Sequence, residues 1–358
     1  MNTTIRLGAS IALAAVSALV VAGCASTSAT PNDTSDVPEI TTVRLGYFPN
    51  LTHAPGLIAT QKGLFKSELK ALDLTLTPTA FNAGPDVVTA LFAESLDCSY
   101  IGPNPAINAY VQSEGAAVRI VAGSTSGGAA LVVRDGVNAA ADLAGLTIST
   151  PQLGNTQDVA ARSWLSDQGF TTDVEGGGDV SIKPQSNSDA LAAFSAGEID
   201  GAWVPEPWVS SFVAAGAHVL QNEADLWADG QFVTTVILCR TDFIDQHPDA
   251  VTALIKGHLA ALDLIASDPD AAKESVNLAL AGLTGSSIDP AVLDSAWENV
   301  TFTADPLADT LVTSAQHAVS VGLLDQAGID AAGGLPGTLY SLDLLNAVRA
   351  ERGEEPIQ

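Results

Sequence analysis

Two segments of this chain share the same order of sequence features: FNAGPDVVTALFAESLDCSYIGPNPA (residues 81–106) and SNSDALAAFSAGEIDGAWVPEPW (residues 186–208). Each segment has a polar turn and an alanine-rich amphipathic helix. An aspartate (Asp97, Asp200) then begins a short strand that contains an aromatic residue and is followed by Pro-Xaa-Pro. Two alignable units predict two lobes on one plan, although generic strand-turn-helix units also resemble each other by chance.

The rest of the chain fits that plan. Strand-like and helix-like segments alternate from residue 42 to about residue 240, which predicts an α/β fold with largely parallel sheets. From about residue 248 the apolar spacing becomes helical. With 358 residues, 47% of them hydrophobic, the chain can bury a substantial core, and two compact units are expected rather than one.

The N-terminus has the layout of an export signal. Arg6 precedes an apolar run from Ile11 to Ala22 that is too short to span a bilayer. Residues 21–24, VAGC, resemble a bacterial lipobox, which predicts removal of residues 1–23 and lipidation of Cys24. A soluble secreted protein cut elsewhere is the alternative. Residues 24–41 then form the lipidated cysteine and a flexible, proline-punctuated tether.

Charge and motif content exclude several functions. The formal net charge of −27 opposes binding to nucleic acid. No phosphate-loop or His-Glu-Xaa-Xaa-His motif occurs, so we expect no cofactor and no catalytic residue. The three cysteines are too far apart for a zinc or iron–sulfur site, and no metal is expected. Cys98 and Cys239 are either a disulfide or two buried thiols.

Turns rich in backbone donors begin several predicted helices. These turns are NLTHAPG, beginning at Asn50, STSGGAA at residues 124–130 and LGNTQD, in which Asn155 or Thr156 is a natural N-cap. Helix N-termini offer unsatisfied N–H groups and the positive end of the macrodipole, which suits a small anion. Lysine and arginine are scarce in these loops, so helix dipoles and hydroxyl groups would balance the negative charge of a bound anion.

Ligands of open α/β sheets bind beyond the carboxyl ends of the strands. This rule places Tyr100, Asn104, Trp203 and Glu206 near the mouths of two sheets, where a cleft between lobes would bring them together. Alternatively, the prolines only end the strands and the aromatics only fill a core. Glu206 could hold an ammonium group or be a solvated residue of the rim, and we favour the rim.

Six stretches, in this order, carry a family resemblance: RLGYFPNLTHAPGLIA, FNAGPDVVTAL, DCSYIGPNPAINAY, GSTSGGAALVVR, DLAGLTISTPQLGNTQD and GEIDGAWVPEPW. The chain resembles the solute-binding proteins of bacterial ABC importers for aliphatic sulfonates, taurine and nitrate. The resemblance implies a type II periplasmic-binding-protein fold with two lobes joined by two crossing strands, AALVVR and TTVILCR. Lobe one would hold residues 42–133 plus 239–358, and lobe two residues 134–238.

Family-like positions predict the site. The binding residues implied by the resemblance are Asn50, Thr52, His53, Asn104, Ser126, Gly127, Gly128, Asn155, Thr156, Gln157 and Glu206. The turn PNLTHAPG is longer than the corresponding turn of some sulfonate-binding proteins. The resemblance therefore identifies the family more precisely than it identifies the solute.

The resemblance implies a binding protein on the extracytoplasmic face of the cell membrane. Its lobes would close on a small anion, most simply an aliphatic sulfonate, for an ABC permease and its ATPase. Taurine, nitrate, another small sulfur or nitrogen source, and a thiamine precursor are the alternative solutes. A thiamine-pyrimidine synthase shares this fold, but its cysteine-rich run is absent here. A sensory or adhesive lipoprotein is a further alternative.

Overall fold

The computed structural model describes residues 39–358. The predicted signal peptide, Cys24 and all but the last residues of the tether lie outside this range. The described chain forms two sheets with helices around them. The strands are β1 Thr42–Tyr47, β2 Thr75–Ala80, β3 Cys98–Ile101, β4 Val118–Gly127, β5 Ala129–Val133, β6 Thr147–Thr150, β7 Ser181–Pro184, β8 Gly201–Pro205, β9 His218–Asn222, β10 Val233–Arg240 and β11 Val300–Phe302.

The helices connect the parallel strands and then cover the first sheet. They are α1 Ala54–Gln61, α2 Leu64–Lys70, α3 Gly84–Phe92, α4 Pro103–Gln112, α5 Thr156–Asp167, α6 Asn187–Ser195, α7 Trp208–Ala214, α8 Thr241–Gln246, α9 Pro248–Ser267, α10 Pro269–Thr284, α11 Pro290–Glu298, α12 Ala308–Ser320, α13 Gln326–Ala331 and α14 Asp343–Glu351. Within residues 39–358, α9 is long and apolar enough to suit a membrane, but 56% of its apolar window is buried in the core.

The two sheets share one strand order. The first sheet runs β11-β4-β10-β3-β1-β2 and the second runs β7-β6-β8-β5-β9. Thus β10, β3, β1 and β2 correspond to β5, β8, β6 and β7, and in both cases an antiparallel strand flanks three parallel ones. This correspondence confirms the predicted α/β fold with two central sheets.

The repeated aspartates have the same structural role in both sheets. Asp97 accepts a hydrogen bond from the backbone N–H of Arg44, the third residue of β1, at 2.8 Å. Asp200 accepts one from the N–H of Thr147 at the start of β6, also at 2.8 Å. Each aspartate therefore fixes the register of two neighbouring parallel strands, and each also pairs with an arginine, Arg44 or Arg134.

Alternating side chains on the central strands fill a core on each face of each sheet. On β10, Ile237 packs with α1, α2 and α9 on one face, whereas Val236 and Leu238 pack with α3, α4 and α12 on the other. On β8, Trp203 and its neighbour Val204 likewise belong to cores on opposite faces. This period of two is the pattern expected of strands that are covered on both faces.

The chain passes between the sheets at points that differ from the predicted boundaries. β5, the stretch AALVV, pairs with β8 and β9 of the second sheet, although residues up to 133 were predicted for lobe one. β10 pairs only within the first sheet, although residues up to 238 were predicted for lobe two. The crossings therefore fall at Gly127–Gly128 and between β9 and β10, because each strand completes its hydrogen bonds within one sheet.

Cys98 and Cys239 form a disulfide across the antiparallel pair β3–β10, closing a separation of 141 residues. A closed loop of this length restricts the unfolded chain strongly. We expect the double replacement Cys98→Ala/Cys239→Ala to lower the free energy of unfolding by about 2–5 kcal/mol. Urea unfolding with and without dithiothreitol measures the change. The reductant should weaken only the original protein, and an equal effect on the double variant would contradict this explanation.

Candidate functional site

A narrow cleft opens where the carboxyl ends of the parallel strands of both sheets face each other. Open concavities of about 400 Å³ occur at the surface. Two of them lie away from these strand ends, and a third lies beside the cleft, next to Pro49, Ser188 and Pro207. By the same measure of volume the cleft has about 10 Å³, roughly the room for a single water molecule. The cleft is lined by Phe48, Asn50, Thr52, His53, Asn82, Gly102, Pro151, Asn155, Thr156, Gln157, Asn187, Pro205 and Thr234.

Four asparagines line the cleft at corresponding positions of the two sheets. Asn50 and Asn82 follow β1 and β2, and Asn155 and Asn187 follow β6 and β7. Asn50 Oδ1 accepts a hydrogen bond from the indole N–H of Trp208 at 2.8 Å. Asn155 Oδ1 accepts one from the backbone N–H of Thr156 at 2.9 Å. These hydrogen bonds identify which amide atom of Asn50 and of Asn155 is the oxygen. The Nδ2 groups of both residues are therefore the donors available to a solute.

The first turn of α5 retains donors after its own capping is complete. Asn155 is the N-cap, and its backbone carbonyl accepts from the N–H of Asp158 while the N–H of Asn155 binds the carbonyl of Gln152. No described residue accepts from the N–H of Gln157, which is the remaining donor of this helix start. The hydroxyl of Thr156 is buried and has no hydrogen-bond partner among residues 39–358.

Gly102 lets the two halves of the cleft approach closely. It precedes α4 in the first sheet's half, and an added Cβ there would lie 2.3 Å from Thr156 Oγ1 in the other half. A larger residue at this position would require the Thr156 side chain, or one half of the cleft, to shift. The Thr156 hydroxyl therefore lies where elements of both sheets meet.

A buried ion pair supports the loop that leads into α5. Asp158 is fully buried and pairs with Arg162 one turn later, at 3.1 Å. The same carboxylate accepts from the Thr150 hydroxyl at 2.8 Å and from the N–H of Gly154 at 2.9 Å. Asp158 thus fixes residues 150–154, and with them the position of the α5 N-terminus.

His53 contributes a neutral ring to the cleft. Its Nδ1 accepts from the N–H of Phe48 at 3.2 Å, so the ring proton of the neutral form is on Nε2. Burial lowers the pKa of His53 to about 3. His53 is therefore an uncharged hydrogen-bond donor at neutral pH, and among residues 39–358 no ionised side chain lines the cleft.

Direct contacts join the two halves beside the cleft. The N–H of Leu51, in the first half, donates to the carbonyl of Glu206, in the second, at 3.0 Å. The bond between Trp208 and Asn50 crosses in the same way, and Trp208 lies at the start of α7. These bonds would break if the halves moved apart, so they hold the arrangement in which the cleft is narrow.

Glu206 is fully buried, so the expectation of a solvated rim residue is wrong. Its carboxylate accepts from the N–H and the hydroxyl of Ser210, both at 3.0 Å, and from Asn299 Nδ2 at 2.7 Å. Burial raises the pKa of Glu206, and these hydrogen bonds oppose the shift. The two carboxylate oxygens of Glu206 thus accept three hydrogen bonds. Through them Glu206 connects Ser210 on α7 with Asn299, the residue before β11.

Four other predicted site residues lie outside the cleft lining. Asn104 Nδ2 donates to the carbonyl of Ser314 on α12 at 3.0 Å. The prediction that residues 124–130 form a donor-rich turn is wrong. β4 continues to Gly127, and its last residues pair with β10 and β11. Ser126 accepts from the N–H of Phe232, and Gly127 and Gly128 form the crossing between the sheets.

The sequence-based prediction placed six residues that the structure brings together: Asn50, Thr52, His53, Asn155, Thr156 and Gln157. It missed Asn82 and Asn187, although both begin the polar turns of the repeated segments. Their matched positions after β2 and β7 were the available signal. Among residues 39–358 no cluster of three or more metal-ligating side chains occurs.

Two sheets of matching order around a donor-lined cleft define the periplasmic-binding-protein class of fold. The alkanesulfonate-binding protein SsuA from Xanthomonas axonopodis pv. citri, bound to MOPS, matches with a TM-score of 0.67 at 22% identity, over 81% of this chain and 96% of that chain. The nitrate-binding protein NrtA from Synechocystis PCC 6803 matches with a TM-score of 0.71 at 16% identity, over 88% and 89%. Both similarities establish the fold.

The NMT1-like family model matches residues 36–280, and the chain belongs to this family. A related sequence is the taurine-binding periplasmic protein of Escherichia coli K12. It is 28% identical over 236 residues, which are 64% of this chain and 70% of the relative.

Proposed function

We propose that the protein is the extracytoplasmic solute-binding component of an ABC importer, and that it captures a small anion, most simply an aliphatic sulfonate. The observation that carries this proposal is the excess of neutral donors in a buried cleft. The Thr156 hydroxyl and the N–H of Gln157 have no partner among the described residues, and both lie at the start of α5.

A buried donor without a partner costs about 1–3 kcal/mol. An oxyanion relieves that cost, because each of its oxygens accepts several hydrogen bonds. The α5 macrodipole adds a favourable interaction with negative charge. A cation would find no carboxylate among the described residues of the cleft lining, whereas an anion finds amide, hydroxyl and imidazole donors.

Capture requires the two halves of the cleft to separate and then to close. In its narrow form the cleft has room for roughly one water molecule, so entry of a sulfonate needs an opening movement. A solute that contacts both halves favours the closed state through the contacts made only there. A permease and its ATPase would then receive the closed form, and the protein itself would catalyse no reaction.

Several solutes fit the same donor set. The SsuA structure was bound to MOPS, a sulfonate, and this favours a sulfonate head group. The taurine-binding relative supports taurine. Nitrate is the second candidate, because a compact anion suits the narrow cleft and the NrtA structure shares the fold. A thiamine precursor is a more distant alternative. Lipidation of Cys24 would hold the protein on the extracytoplasmic face of the membrane.

A thermal-shift panel on the purified protein tests the proposal. The panel contains alkanesulfonates, taurine, nitrate, phosphonates, carboxylates and thiamine precursors. At a concentration of about 100 Kd the bound solute should stabilise the native state by about 2.7 kcal/mol. Stabilisation by an anion supports the proposal. No response to any anion, or turnover of a panel compound, would contradict it.

A further inference from the structure

A second cavity, of about 130 Å³, lies between α5, the short 3₁₀ turn Glu223–Leu226 and α12. It is separate from the solute cleft and shares no lining residue with it. Ser163, Trp164 and Asp167 come from one face of α5, since they are spaced by three and four residues. The other lining residues are Ala160, Glu223, Leu226, Trp227 and His317.

Three aromatic rings, those of Trp164, Trp227 and His317, line this cavity. The ring of Trp164 lies 5.8 Å from that of Trp203, and the ring of Trp227 is stacked 5.5 Å from Phe232. The ring of His317 on α12 lies 5.5 Å from that of Trp227 and is tilted by 59° against it. Tryptophan faces carry negative electrostatic potential and attract cations within about 6 Å.

The floor of the cavity is a buried carboxylate. Glu223 is 2% exposed, and its Oε2 accepts from the indole N–H of Trp203 at 2.7 Å. It forms no ion pair with any described residue. Asp167, at the rim, is exposed. A carboxylate at the floor and another at the rim give the cavity a negative field with aromatic walls.

We propose that this cavity binds a small organic ammonium ion, with the cationic group against Trp164 and Trp227 and facing the carboxylate of Glu223. A desolvated cation on a tryptophan face gains more than one at the surface, and the buried carboxylate gains a counter-ion. The high negative charge of the whole chain favours the approach of cations.

The ionisation of the surrounding groups supports this assignment. Burial raises the pKa of Glu223 to about 7, while hydrogen bonds from Trp203 and Trp227 oppose the shift. Burial lowers the pKa of His317, and Asp167 opposes that shift. Raising the pH through neutrality therefore ionises Glu223 while His317 stays neutral. We expect the affinity for a cation to rise over that interval.

Tetramethylammonium chloride is a suitable probe, with sodium chloride at equal ionic strength and tert-butanol as a neutral molecule of similar shape. Binding is measured by calorimetry and by the indole N–H signals in proton–nitrogen NMR spectra. The signals of Trp203 and Trp227 should shift saturably with the probe. The signal of Trp297, which packs near Lys273 elsewhere in the molecule, should not change.

Two substitutions make the test specific. Glu223→Gln preserves the shape and the acceptor for Trp203 and should weaken binding of tetramethylammonium about tenfold or more. Asp167→Lys places a tethered ammonium at the exposed rim, where folding is not at risk, and should also abolish binding. Glu198→Gln, at an exposed position outside the cavity lining, is the matched control and should leave the affinity unchanged.

An equal response to tert-butanol or to sodium chloride would overturn the proposal. Unchanged affinity in both Glu223→Gln and Asp167→Lys would do the same. The absence of any saturable shift of the Trp203 and Trp227 signals would show that no ammonium ion occupies the cavity. None of these outcomes depends on which anion binds in the solute cleft.

Discussion

Replacement of both Asn155 and Thr156 by alanine is expected to abolish the thermal stabilisation by the solute while the protein without solute stays folded. The double variant removes the Asn155 amide and the Thr156 hydroxyl from the cleft. Hydrogen bonds to a charged group contribute about 1.5–3 kcal/mol each, so we expect at least a hundredfold loss of affinity. A stabilisation of about 2.7 kcal/mol would then fall to about 0.4 kcal/mol or less at the same solute concentration.

Loss of the α5 cap also costs stability, about 1 kcal/mol, and a control must separate this effect from binding. Asp268 caps α10 by accepting from the N–H of Ala271, far from the cleft, and is exposed. Asp268→Ala should lower the stability of the unliganded protein by a similar amount and leave the solute response intact. If Asn155→Ala/Thr156→Ala retains the full response, the start of α5 is only a capped helix.

Removal of Arg162 should give the largest loss of stability. The Arg162→Ala variant leaves the carboxylate of Asp158 buried without its counter-ion, and such a change costs about 3–5 kcal/mol. Urea unfolding monitored by circular dichroism measures the loss. Because Asp158 also binds Thr150 and Gly154, the solute response should weaken together with stability.

The double variant Asp158→Asn/Arg162→Leu removes both charges and should recover part of the stability that Arg162→Ala loses. A matched surface pair offers a second control. Lys256 and Glu351 form an ion pair at 2.9 Å between exposed side chains, so Lys256→Ala should change stability only slightly. Equal losses for Arg162→Ala and Lys256→Ala would refute the importance of the buried pair.

The fold follows from local patterns in the sequence to a large extent. The alternation of strands and helices, and the helix ends at Gly63 and Gly169, agree with the structure. The repeat of residues 81–106 in residues 186–208 corresponds to matching strands in two sheets. β9 and β11 were not predicted, because they are short and lie at sheet edges where only pairing with distant strands defines them.

The positions of individual polar residues were harder to predict. The stretch STSGG has the composition of a turn, but its backbone completes the ladder with β10 and β11, which come from far along the chain. Glu206 between two prolines has the local character of an exposed residue. Its burial depends on Asn299, 93 residues away, which no local pattern reveals. The pairing of Cys98 with Cys239 likewise follows from the register of β3 and β10.

The cleft residues were easier to find than their roles. Asn155, Thr156 and Gln157 could be placed because a helix start follows a strand, and such junctions collect at one edge of a sheet. Which donors remain after capping depends on exact hydrogen-bond partners. Here the amide oxygen of Asn155 accepts from the N–H of Thr156, and the Thr156 hydroxyl has no partner within the part of the chain that the structure describes.

The Cys98–Cys239 disulfide between β3 and β10 affects how the protein would respond to a pulling force. All five strands of the second sheet lie within the 141-residue separation that the bridge spans. Tension on the two ends of the chain would therefore pass directly from Cys98 to Cys239 and bypass the enclosed residues. If the residues between the two cysteines were fully extended, they would add roughly 490 Å to the length of the chain. The disulfide prevents this extension. Pulling could unravel the outer segments while the half of the cleft that holds Asn155 and Thr156 bears no load.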